Sequence, residues 1–273
     1  MSLPAPDEWA SAPPRGELKV ASWNVNSVRV RAERIVEWLR THSPDVLCLQ
    51  EIKTLEAHFP YAAFHALGYT AAVFGQKTYN GVAILSRLPM TELSPGFMGE
   101  PADPEARLLA ATIAGVRVHS VYVPNGQSLT SDRYAHKLRW LGRLGEHFDR
   151  RERDQPLLFC GDFNVAPDER DLYDPAAFGE DVVFHVDVRN AYARLVGPRG
   201  LVDTFRLFHP ETGHFSWWDY RQLGFAKGRG LRIDLILATE DLAKCCTSAS
   251  IDREARKGTQ PSDHAPVLAA FKL

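Results

Sequence analysis

The chain has 273 residues, 45% apolar and 24% charged, the balance of an ordinary globular protein near the upper size for one hydrophobic core. No apolar run reaches the ~20 residues that span a bilayer, and the N-terminus lacks a basic-then-apolar signal pattern, so no membrane partner and a cytoplasmic location are expected. A net charge of −2 argues against wholesale coating of nucleic acid but leaves room for a local basic groove beside an acidic site.

Residues 1–17, rich in Pro, Ala and Ser, read as a flexible leader, and 18–273 as a single domain. Leu18 to Trp23 is the first apolar strand. Arg31 to Thr41 follows as a helix with Ile35, Val36 and Leu39 inward, then Val46 to Leu49 as a buried strand. Gly81 to Ser86, Leu108 to Ala114 and Val116 to Val123 are further strands. Ser131 to Arg150 gives the clearest helix, with Tyr134, Leu138, Leu141 and Phe148 on one stripe and Ser131 as its N-cap. Strands Pro156 to Cys160, Leu231 to Ala238 and Val267 to Phe271 complete the series. Strands alternating with helices, with no internal repeat or linker, predict an α/β fold of two packed sheets with helices outside. Cys48 and Cys160 lie in apolar runs and Cys245-Cys246 are adjacent, which suits reduced thiols and neither a disulfide ladder nor zinc spacing.

Polar groups recur where apolar strands end. Asn24 and Asn26 close the first strand, Gln50 and Glu51 the second, and Asp162 and Asn164 a later one. Each alone could be a turn or cap residue, but three in one chain predict a shared cleft. Asp234 lies in an otherwise apolar strand and calls for a partner; Ser262-Asp263-His264 precedes the last strand, and His264 would supply that partner. Carboxylates, amides and one histidine, without metal-spaced Cys or paired His, suit Mg2+, or Mn2+ in its place, rather than zinc. Such a set is built for phosphoryl chemistry, whereas G-x-S-x-G and P-loop signatures are absent.

The segments WNVNSVR, DVLCLQEIK, NGVAILS, VYVPNG, GDFNVAP, FSWWDYR, GLRIDLIL and PSDHAPV, in this order from Val20 to Phe271, resemble the motif series of the exonuclease III / AP endonuclease family. That resemblance implies a DNase I-like four-layer α/β sandwich. It also implies a DNA repair nuclease that cuts 5′ to abasic sites, with 3′→5′ exonuclease and 3′-phosphatase activity, acting as a monomer on duplex DNA with abasic sites or blocked 3′ ends. By the same resemblance Glu51 would be the principal metal ligand, assisted by Asn24 and Asp263. Asp162 would orient or deprotonate the attacking water, and Asn164 would hold phosphate or water. Tyr122 and Asn125 would contact the phosphate, and His264 paired with Asp234 would stabilise the transition state. The general base is left open between Asp162 and His264. Asn26, assigned to substrate, stands where some relatives carry Asp, so one required metal is expected.

The resemblance further implies that Trp217, Leu231 and Ile233 form the apolar pocket for a flipped abasic sugar. Lys53, Arg221 and Gln127 would contact DNA, the last two entering its grooves, with Arg29, Arg31, Lys77, Lys227, Arg229 and Arg232 as further groove cations. Two other functions remain open: a small-molecule or lipid phosphodiesterase of the same superfamily, and a catalytically silent DNA-binding relative.

Overall fold

Strands that read as apolar on both faces should lie at the centre of a layered structure, and they do. The computed structural model describes residues 16–99, 103–151 and 154–273. Its strands are β1 (Leu18–Asn24), β2 (Val46–Gln50), β3 (Thr70–Phe74), β4 (Val82–Ser86), β5 (Thr91–Pro95), β6 (Leu108–Ile113), β7 (Val116–Tyr122), β8 (Leu157–Asp162), β9 (Leu201–Asp203), β10 (Asp234–Thr239), β11 (Cys246–Ile251) and β12 (Val267–Phe271). One six-stranded sheet has the order β11-β12-β1-β2-β4-β3 and the other β5-β6-β7-β8-β10-β9. Both are mixed, with β1 parallel to β2 and β7 parallel to β8. Residues 1–15 of the expected leader lie outside the described residues; β1 begins at the expected Leu18.

The period-two alternation of the strands sorts the core into three apolar layers. Val20, Cys48, Val118, Leu158, Cys160 and Ile236 meet between the sheets. Their strand neighbours Ala21, Trp23, Leu47 and Leu49 face outward onto helices α1 (Val28–His42) and α2 (Tyr61–His65), while Leu157, Phe159, Leu235 and Leu237 face α3 (Asp132–Asp149) and α4 (Val186–Val196). The short helix α5 (Glu240–Lys244) follows β10. Helix, sheet, sheet, helix is the expected four-layer sandwich. Ser131 caps α3 as expected, accepting the Arg133 N–H at 3.1 Å. No helix among the described residues is long and apolar enough to cross a membrane.

Two strand boundaries place acids at the polar end of the sandwich. The strand expected over 231–238 begins only at Asp234, and the strand expected to end at Cys160 runs on to Asp162, so both acids become terminal strand residues. Gly161 lets β7 and β8 approach: a Cβ there would collide with the Val121 carbonyl oxygen. Gly161→Ala should therefore prise two central strands apart and lower the melting temperature; an unchanged melt would show that the strands can separate at no cost.

Candidate active site

The inter-sheet face turns polar at one end of the sandwich. Along β1 the inward positions run Leu18, Val20, Ser22, Asn24; along β2, Val46, Cys48, Gln50; along β7, Val116, Val118, Ser120, Tyr122. Ser22, Gln50 and Ser120 are fully buried and form a floor: Gln50 Nε2 donates to Ser22 Oγ at 3.0 Å and to Ser120 Oγ at 3.1 Å. Above the floor, register sets Asn24 beside Gln50, and Asp162 between Tyr122 and Asp234. The chain then leaves β2 and β8 through left-handed residues, Glu51 at φ 49° and Asn164 at φ 49°. For Glu51 that conformation is sterically costly, and such strain tends to collect where a side chain must be aimed.

Asp162 and Asp234, opposed on antiparallel strands, would repel; His264 lies between them. Its Nδ1 is 2.8 Å from Asp234 Oδ2, and its Nε2 is 3.7 Å from Asp162 Oδ2. Burial favours the neutral imidazole, but the two carboxylates prevail and raise its pKa to about 10. The expected Asp234–His264 pair is thus present. Burial, with the Asp234 charge added and His264 opposing, raises the Asp162 pKa to about 7. Asp162 Oδ1 accepts the Asn164 N–H at 2.9 Å, and Oδ2 accepts Asn24 Nδ2–H at 2.9 Å.

Glu51 sits on the other side of Asn24, whose Nδ2 also donates to Glu51 Oε1 at 2.9 Å, while Lys53 Nζ lies 2.7 Å from Oε2. Burial pushes this carboxyl up, yet Lys53 and Asn24 more than offset it and leave its pKa lowered. Tyr122 is buried, and burial together with the charges of Glu51 and Asp162 raises its pKa, so the phenol keeps its proton and can donate. Arg107 covers the Tyr122 ring at 4.6 Å. Asn125 is exposed and donates through Nδ2 to Asn164 Oδ1 at 3.1 Å.

Ligand atoms of Glu51, Asp162 and His264 lie within 4.8 Å of one another. His264, with Nδ1 on Asp234 and Nε2 facing Asp162, is the charge partner of both acids. The acids Glu51, Asp162, Asp234 and Asp263 outnumber the cations Lys53 and His264, and the free donors are hard oxygens. That set fits a divalent cation of the magnesium class.

Other expected site residues fall differently. Asn26 spends its amide inside the protein, accepting from Lys53 Nζ at 2.6 Å and donating to Asp263 Oδ1 at 3.0 Å. Asp263 also accepts from Trp217 Nε1 at 3.1 Å, and its pKa is lowered: burial opposes the shift, but His264 and these bonds outweigh it. Trp217 is half-buried, but Leu231 and Ile233 are each only 3% exposed and belong to the core beneath it. Trp217 is thus the solvent-facing part of that trio.

Arg29, Lys77, Gln127, Arg221, Lys227 and Arg229 are exposed as groove contacts require. Arg31 is engaged with the Asn26 and Pro261 carbonyls and the Tyr220 hydroxyl. Arg232 is a correction: it is 1% exposed, bound to Asp171 at 2.6 Å and Asp203 at 2.7 Å, and cannot reach a groove. Burial works against its charge, but Asp203 and Asp171 prevail and raise its pKa. Arg232→Met, which takes the cation from Asp203 and leaves Asp171 with Arg206 alone, should cost about 3–5 kcal/mol by denaturant unfolding; a cost near zero would mean the acids find other partners.

Two residues that sequence reasoning misses complete the site. Ser216 is fully buried; its hydroxyl donates to Asp234 Oδ2 at 2.6 Å and accepts the Ile233 and Asp234 N–H groups. Lys137, also fully buried, reaches the carbonyls of Asn125 at 3.0 Å, Asn164 at 2.6 Å and Val182 at 2.7 Å. Its ammonium joins the loops after β7 and β8.

Known proteins resemble this chain over most of its length. Exodeoxyribonuclease III of Haemophilus influenzae is 32% identical over 272 residues, covering 93% of this chain and 100% of that protein. Exodeoxyribonuclease of Bacillus subtilis is 31% identical, covering 92% and 98%. Among solved structures, an AP endonuclease from Archaeoglobus fulgidus superposes with a TM-score of 0.90. The 3′ phosphatase NExo from Neisseria, bound to product DNA hairpin, superposes with 0.91. Each of the two is 40% identical, covering 94% of this chain and 100% of its own. The pattern of one family matches residues 21–264, from β1 to the histidine that joins the two acids. The chain belongs to the Endonuclease/Exonuclease/phosphatase family.

Proposed function

We propose that this protein is a magnesium-dependent DNA repair nuclease. It hydrolyses the phosphodiester 5′ to abasic sites in duplex DNA, and removes nucleotides and phosphates from 3′ ends. The observation that carries the reading is the buried Asp234–His264–Asp162 series beside Glu51, at the end of two sheets. Glu51 would hold the metal, with Asp162 nearby and Asn24 able to offer its oxygen if its amide turned over. Bound there, the metal would neutralise charge on the phosphate oxygens.

The residues divide the remaining work. Asp162, with a pKa near neutrality, can take a proton from water; His264, protonated up to about 10, cannot. This favours Asp162 as the base. The imidazolium of His264 and the phenol of Tyr122 supply positive charge and a donor for the phosphoryl oxygens. Asn125 and Asn164 position the phosphate. Trp217 packs against the sugar, and Arg221, Lys227 and Arg229 meet the DNA backbone. Leu223, 69% exposed next to Arg221, gives that loop an apolar tip.

The test is cleavage of a duplex bearing one abasic site, with magnesium or EDTA, followed by analysis of the product ends. A 3′-hydroxyl and a 5′-deoxyribose phosphate, formed only with metal, are expected. Turnover of inositol phosphates or sphingomyelin without cleavage of the duplex would sink the reading. Under the same proposal the protein is a cytoplasmic monomer, and sedimentation should return the mass of one chain. Arg221→Ala should raise KM, flatten the salt dependence of binding and leave kcat near wild type; a fall in kcat alone would remove Arg221 from the groove.

A further inference from the structure

We propose that His209, Glu211 and His214 form a separate binding site for a zinc-class cation, on the turn that leads into the Phe215–Trp217 segment. One ligand atom from each of the three lies within 4.8 Å of the others. His209 Nδ1 is 3.4 Å, and His214 Nε2 2.7 Å, from the same oxygen, Glu211 Oε1.

The tautomer of His209 follows from its other nitrogen. Nε2 is 2.9 Å from the carbonyl oxygen of Ala249. A carbonyl only accepts, so Nε2 carries the hydrogen. In the neutral ring Nδ1 is then a bare lone pair turned toward a carboxylate oxygen. Two acceptors so placed ask for a cation between them, a proton or a metal ion. A backbone carbonyl that fixes the far nitrogen is also the usual outer support of a metal-bound imidazole.

The turn is held ready. The Phe205 ring stacks on His209 with centroids 4.4 Å apart and meets the edge of His214 at 5.4 Å. Arg206 Nη1 donates to the carbonyls of His209 at 2.8 Å and Glu211 at 2.7 Å, and Arg170 Nη1 to that of Pro210 at 2.9 Å. The ligand side chains are nevertheless 30%, 55% and 38% exposed, which leaves an approach for the ion and a place for water. Two imidazoles and one carboxylate suit zinc, nickel or copper(II). The oxygen donors around Glu51 suit magnesium. His214 precedes by two residues Ser216, which holds Asp234, so an ion here would anchor the segment that delivers Ser216 to the catalytic pair.

The test uses the full chain without an affinity tag, stripped with a chelator and titrated with zinc in excess magnesium. Wild type and Glu51→Gln should each bind one zinc ion, and His209→Ala and His214→Ala should weaken that binding by more than about tenfold. Cobalt(II) should give the intense visible absorption of a low-coordinate nitrogen site in wild type and Glu51→Gln, and lose it in His214→Ala. Should alanine loosen the turn, His214→Gln keeps a hydrogen bond to Glu211 and serves instead. Zinc binding lost in Glu51→Gln, unchanged in both histidine variants, or absent from wild type would each overturn the proposal.

Discussion

Asp234→Asn should lower kcat on an abasic duplex by about 10²–10³-fold, the scale on which loss of one preorganised charge-stabilising group acts. The substitution keeps the shape of the side chain and can keep a hydrogen bond to His264 Nδ1. What it removes is the charge that, with Asp162, raises His264 to about 10. The sign is set by that shift. The folded protein holds the His264 proton over a range where the unfolded chain, at 6.5, has lost it. The pair therefore stabilises the fold fully below about 6.5, and the stabilisation is gone once pH passes about 10. In Asp234→Asn the folded pKa falls, so the alkaline limb of the rate profile should move down from near 10 toward neutrality. Rates measured from pH 6 to 10.5 would show it. An alkaline limb left in place, with kcat merely scaled down, would mean that the imidazolium is not the form that works. Ser216→Ala should leave the limb much nearer its wild-type position than Asp234→Asn does, because Asp234 keeps its charge and loses only an orienting donor.

Most of the layered frame was legible because β2, β4, β8 and β10 are buried on both faces and so appear as apolar runs, and β1 departs from burial only at Lys19. The edge and near-edge elements were not. β5 is exposed and interrupted by a register shift, β11 reads Cys-Thr-Ser-Ala-Ser-Ile, and β9 spans three residues, so none carries a strong apolar signal. In the site, acids at strand ends gave Glu51 and Asp162 away, and an acid inside an apolar run gave Asp234, since a carboxylate beside apolar neighbours needs a reason. Arg232 misled because a cation in a motif suggests a ligand outside the protein, whereas its partners Asp171 and Asp203 lie far along the chain. Ser216 and Lys137 were hidden for the opposite cause. A serine in a loop and a lysine on a helix are the commonest of surface residues, and only the fold shows that both are sealed in.

Lys137→Met tests whether that sealed lysine serves the chemistry or only the fold. Methionine matches its length and apolar stem but leaves three carbonyls without this donor, the two buried ones of Asn164 and Val182 each worth about 1–3 kcal/mol before the relief of no longer burying an ammonium. Two of the three belong to Asn125 and Asn164, so the loops that present their amides lose their common tie. A displacement near 1 Å can cost about 10²-fold in rate, and kcat/KM should fall by about 10–100-fold at temperatures well below the melt. A purely structural lysine would lower the melting temperature and leave kcat/KM alone. Its titration offers a second readout. Burial, against the pull of Asp162 and Asp181, lowers the Lys137 pKa from 10.5 to about 7. Between those values the folded protein binds fewer protons than the unfolded chain, so the wild type gains stability as pH rises through that window and Lys137→Met does not. The difference in melting temperature between the two should widen from pH 7 to pH 10. A constant difference would show that the lysine stays charged throughout, with all three N–H bonds to the loops intact.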